Sequence, residues 1–183
     1  MAETYNDRVV DENYEEVPEI PELCERVILF ALDEGKKKLL AKEMLVPFTV
    51  LAVKDNLFIE THPGESAEDC YAMAKHTVGG ARGADAYAFC YDGYVDTDAG
   101  MKDCIIAEGG VPGGDGYAVG YLYEVDEESG IVVVEADPAY IGEAPNFMED
   151  LCDSSVYAED DIDPRYLDGE GFEDGGNVYV EEE

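Results

Sequence analysis

Two histidines and five cysteines are the side chains of this chain best suited to metal or nucleophile chemistry. His62, Cys70 and His76 form a trio with zinc-type ligands in a short span. Cys70 and His76 lie on one predicted helix, about 240° apart around its axis. They do not share a face, so the spacing predicts no metal, an exposed His62 and a partly packed His76. Covalent catalysis by cysteine needs a base and a positive setting that lowers the thiol pKa. Cys90 lies in Tyr87-Ala88-Phe89-Cys90-Tyr91 and Cys104 in Asp103-Cys104-Ile105-Ile106, among apolar or acidic neighbours. Both read as packed structural thiols, with a Cys/His site built from either one and His76 as the alternative. Cys24, Cys70, Cys90, Cys104 and Cys152 are odd in number and contain no C-x-x-C pair. That pattern shows no disulfide framework and predicts a reducing, cytoplasmic setting.

The stretch Glu108–Gly116 is glycine-rich. A phosphate cradle needs converging N–H groups at a helix start, usually with a lysine. Here the following residues read as strand, and Glu108 and Asp115 would repel phosphate. A hairpin loop is the expectation. Asp92, Asp96, Asp98 and Asp103 cluster in sequence and could attract a hard cation. Their glycine position and the missing terminal Glu depart from the twelve-residue calcium loop, so no dedicated site is expected and any Ca²⁺ or Mg²⁺ association would be loose and nonspecific. No cofactor is predicted.

The aromatic residues offer a different chemistry. Tyr87, Phe89 and Tyr91 alternate along one predicted strand, as do Tyr117, Tyr121 and Tyr123 along another. Alternation puts each set on one face of its strand. The reading joins them into one aromatic band on one sheet face. Such a band either packs under helices with its phenol tips in water, or serves as an interaction face, since tyrosine is enriched in binding hot spots.

These residues must be positioned by the following elements. Ile20–Leu45 has helical apolar spacing, with Glu22 and Glu25 early and lysines late, matching the helix dipole. Gly35 in its middle either splits the helix or lets a neighbour approach closely. Phe48–Val53 and Leu57–Thr61 flank a turn and predict a β-hairpin. Ser66 caps a second helix that ends at Gly79-Gly80. Strands follow at Ala84–Val95, Met101–Glu108, Tyr117–Val125 and Ile131–Ala136, then a short helix over Asn146–Cys152. The fold class is α+β, an antiparallel sheet of five to six strands with two main helices, in the order α-β-β-α-β-β-β-β-α. In element order alone this is similar to the profilin-like and roadblock-type regulatory domains, over roughly Ile20 to Cys152. It carries no diagnostic residue motif, and no functional residue transfers from it.

Charge sets the domain limits and the partner class. The chain has 45 acidic and 11 basic residues, a net charge of −34. Residues 149–183 hold 14 acids against Arg165 alone, and residues 1–18 hold six against Arg8. The reading is an acidic arm over 1–18, a single domain over 19–153, and an acidic, disordered tail over 154–183. Val178-Tyr179-Val180 in that tail could add to a sheet edge. The start of the chain lacks the apolar core of a secretory signal, and no apolar run is long enough to span a membrane. The negative field repels nucleic acid and anionic lipid and attracts basic partners. The resulting expectation is a non-enzymatic protein-interaction or regulatory domain, in its specific form an acidic neutraliser of a basic protein. A small enzyme with a Cys/His site and an acidic housekeeping protein of a salt-adapted organism are the alternatives. Oligomeric state is not legible.

Overall fold

The computed structural model describes residues 18–54 and 56–152. Residues 1–17 of the acidic arm, residue 153 at the end of the expected domain, and the whole tail over 154–183 with Val178-Tyr179-Val180 lie outside the described residues.

Helix α1 spans Glu22–Leu40. Its start follows Pro21, whose carbonyl accepts from Glu25 N–H, and acids in the first turn oppose lysines in the last. One stripe, including Cys24, Ile28, Leu32 and Gly35, is buried. Full burial of a side chain such as Ile28 or Leu32 is worth about 1.5–3 kcal/mol. The helix runs through Gly35 unbroken. A Cβ there would stand 3.0 Å from Cys90 Sγ and 3.0 Å from Ile105 Cγ2, so the glycine allows close approach to the sheet. The helix stops at Leu40, short of the expected Leu45. Lys42 takes a left-handed φ of 62°, and Glu43 N–H reaches back to Lys38 O. That arrangement closes the last turn in the manner of a Schellman cap.

Strands β1 (Phe48–Val53) and β2 (Asn56–Thr61) form the expected hairpin. Helix α2 (Ala67–Gly79) follows, and Ser66 Oγ accepts from Asp69 N–H at its start. Then come β3 (Ala86–Thr97), β4 (Gly100–Gly110), β5 (Gly116–Val125), β6 (Val132–Val134) and β7 (Ala139–Ala144). All pairings are antiparallel, in the order β2-β1-β3-β4-β5-β6, with β7 also on β5. The result is the α+β class with two helices and seven strands. β7 adds a strand to the expected count, because a register shift opposite Ala118 and Val119 breaks the alternation that would reveal it. Asn146–Cys152 is a turn and not a helix. There Glu149 N–H bonds Asn146 O and Leu151 N–H bonds Met148 O, each at the three-residue spacing of a turn and not the four-residue spacing of an α-helix.

The two helices cover opposite faces. α1 packs on a first face built from Val50, Ala88, Cys90, Ile105 and Tyr121 among others. α2 packs on a second face with Leu51, Tyr87, Phe89 and the turn residues Phe147 and Met148. The small residues of β3 (Ala86, Ala88, Cys90) therefore face α1, and its aromatics face α2.

Candidate interaction face

Strand register overturns the single aromatic band. Tyr91 pairs with Ile106, which pairs with Gly120, whereas Tyr121 pairs with Ile105, which pairs with Asp92. Paired residues share a face. Tyr87, Phe89 and Tyr91 thus lie on the second face, and Tyr117, Tyr121 and Tyr123 on the first. The loop between β4 and β5 sets this parity, and loop length cannot be read from alternation within either strand. Tyr87, Phe89, Tyr117, Tyr121 and Tyr123 are buried, and Tyr91 is half-buried. The Tyr87 hydroxyl donates to Pro145 O at 3.2 Å and accepts from Phe147 N–H at 2.9 Å, holding the final turn against the sheet.

The residues with nucleophile or metal chemistry are dispersed. His62 is buried, 1% exposed, against Thr49 Oγ1 at 3.0 Å, and burial pulls its pKa down to about 4. His76 is exposed. Both placements reverse the expectation. His62 follows the edge strand β2 and donates its own N–H to Pro47 O, which continues the pairing with β1 and sets its ring against Thr49, whereas His76 is on the solvent side of α2. Among the described residues no group of three or more His, Cys, Asp or Glu is arranged to hold a metal. Cys24, Cys70, Cys90 and Cys104 are buried and Cys152 is exposed, all as free thiols. Burial pushes Cys24 and Cys104 up to about 12 and raises Cys90 further. These thiols stay protonated at neutral pH. We expect one fast-reacting thiol, Cys152, in a disulfide-exchange assay on folded protein, with the other four released only by denaturant. Fast labelling of Cys90 or Cys104 would contradict this burial.

The glycine-rich stretch is a hairpin pinned from beneath. Asn146 Nδ2 donates to Val111 O and Gly114 O, each at 2.8 Å, and Gly113 N–H donates to Met148 O at 3.0 Å. A Cβ on Gly110 would stand 2.6 Å from Asn146 Oδ1. Gly110 and Gly116 thus allow close packing against this turn, whereas Gly109 makes room for Ile28 of α1.

One exposed surface combines apolar and acidic groups. The outer halves of β3 and β4 extend past α1, and their first face is open. Tyr94 is 68% exposed and Met101 65% exposed. Tyr94 pairs with Asp103 and Met101 with Asp96, so apolar and acidic side chains alternate in a checkerboard. Tyr123 O–H donates to Asp92 Oδ1 at 2.7 Å. Partial desolvation raises the Asp92 pKa, the Tyr123 bond opposes it, and Asp103 adds to it. Asp98 sits at the hairpin tip. Sequence reasoning found these aspartates but missed Tyr94 and Met101. The signal was there: Tyr94 has acidic residues two positions away on both sides, a pattern no core strand tolerates. No helix among the described residues is long and apolar enough to cross a membrane. No family model matches the chain, and comparison with curated proteins and with solved structures returns no match.

Proposed function

We propose that this domain is a non-enzymatic, cytoplasmic interaction module that binds a basic segment of a partner protein across the open face of the β3–β4 hairpin. The observation that carries this reading is the pair Tyr94 and Met101, exposed among Asp92, Asp96, Asp98 and Asp103. Lysine and arginine have long apolar stems and charged heads. On this checkerboard the stems lie over Tyr94 and Met101 while the heads reach the carboxylates. The mutual repulsion of Asp92 and Asp103 falls when a cation arrives. The net charge of −34 adds long-range steering that salt weakens. Free thiols fit the cytoplasmic setting.

An NMR titration with a defined lysine- and arginine-rich peptide tests this at low and at physiological salt. Amide shifts should concentrate on residues 92–103. Tyr94→Ala combined with Met101→Ala should weaken binding about fivefold or more, the loss of more than 1 kcal/mol typical of a hot spot. Shifts spread evenly over all acidic surfaces, or affinity unchanged in the double variant, would refute the reading.

A further inference from the structure

The geometry points to a second binding niche, on the opposite face of the sheet, that takes an alkylammonium group with Glu108 as its anion and the rings of Tyr71, Phe89 and Tyr91 as its wall. The row Phe89–Glu108–Ala118–Gly142 crosses β3, β4, β5 and β7 on the second face. On the α2 side the carboxylate meets aromatic rings. Tyr71 and Phe89 centroids are 6.2 Å apart, Phe89 and Tyr91 5.2 Å, and Tyr71 and Phe147 5.2 Å. On the other side the row itself carries only small residues, with Ala118 buried among Tyr91, Ile141 and Ala144 of the flanking rows. Ala118 offers a methyl, and a Cβ added to Gly142 would meet nothing within 4 Å.

Glu108 itself is half satisfied. Tyr91 O–H donates to its Oε2 at 2.5 Å, while its Oε1 is buried with no hydrogen-bond partner. No ion pair among the described residues reaches it. A buried carboxylate oxygen left unpaired is costly, and only a donor relieves it. Burial raises the Glu108 pKa, and the Tyr91 bond opposes that rise.

A cation with N–H groups suits this place best, because it supplies a donor to Oε1 and a positive charge to both the carboxylate and the rings. Ring faces attract cations of any kind through their quadrupole. Oε1 asks for a donor as well, which separates an ammonium head from a quaternary one. Anionic ligands are repelled. Oε1 is closed to bulk water, so the head group enters from the Gly142 side by displacing its neighbours, and the binding is weak. This niche is independent of the basic-segment reading, which concerns the other face, and either can fail alone.

Titration of the full chain with n-butylammonium chloride tests it, against sodium chloride at equal ionic strength and with tetramethylammonium in parallel. The expected result is saturable shifts at the amides of Tyr71, Tyr91, Ala118 and Gly142. Glu108→Gln should weaken this component about tenfold or more, the worth of one hydrogen bond to a charged group. Tetramethylammonium should bind clearly more weakly in the wild-type chain, a comparison that needs no variant to fold. Equal responses to sodium and butylammonium, equal affinity for the quaternary ion, or an unchanged Glu108→Gln titration would each overturn the assignment.

Discussion

Asn146→Ala lowers the unfolding free energy by about 2–4 kcal/mol, with the urea midpoint as the readout. The side chain is 7% exposed and bonds three backbone groups. It donates to Val111 O and Gly114 O, and its Oδ1 accepts from Met148 N–H at 2.9 Å. Truncation leaves those groups without partners in a site that the alanine methyl cannot fill. Each buried unpaired group costs about 1–3 kcal/mol, and water reaching the loop recovers part of the sum. The damage spreads because the same turn places Phe147 against Tyr87, ring to ring at 5.3 Å. Asn146→Asp should be as harmful at neutral pH, since it loses both donors and turns a charge toward two carbonyls. A change below about 1 kcal/mol for the alanine variant would mean that the loop does not depend on this side chain.

Acidification should reveal His62. Its pKa is near 6.5 in the unfolded chain and about 4 in the fold, because the buried ring is held neutral. The folded state binds fewer protons than the unfolded state between those values. Its contribution is fully present above about pH 6.5 and is lost as pH falls toward 4. Discounted for solvent screening, the loss is on the order of 2 kcal/mol. Glu108 acts in the opposite sense. Its raised pKa makes its contribution complete at low pH and lost as pH rises. The two overlap in wild type, so a variant must separate them. His62→Gln cannot be charged and can still bond Thr49. Its melting temperature should gain on wild type steadily between pH 6.5 and pH 4. Parallel curves for the two proteins would show that the ring is not held neutral.

The helices and the hairpins were legible because their signals are local. Ser66 with its following acids, and the stripe from Cys24 to Leu32, need only neighbours a turn away. The α+β class followed from them. What escaped depends on contacts distant in sequence. β7 has Gly142 and Glu143 in its middle, and Tyr140 and Gly142 pair with consecutive residues of β5 across a bulge. Asn146 looks like a helix cap because its useful partners, Val111 and Gly114, stand more than thirty positions upstream. The tyrosines carried a sound period-two pattern within each strand. The relation between strands was set by a loop, so one band became two faces. His62 and His76 exchanged their expected environments for a similar reason: a lone histidine has no pattern that reports which way the backbone turns. The acidic part of the candidate site was visible, and the exposed tyrosine beside it was overlooked in favour of six aromatics, five of them buried and Tyr91 half-buried.

β3 lies between β1 and β4 with a helix on each face, and this order has a cost during synthesis. α1, β1, β2 and α2 leave the ribosome before Ala86–Thr97 exists. Val50, Leu51 and the buried stripe of α1 must wait in water for a strand not yet made. Long-range closure of this kind makes folding slow relative to helical bundles of the same size. Residues 1–85 carry 18 acids against 9 bases, so the nascent chain is already net negative through that interval, and this like charge opposes the meeting of incomplete chains before the aspartates of the β3–β4 hairpin have been made.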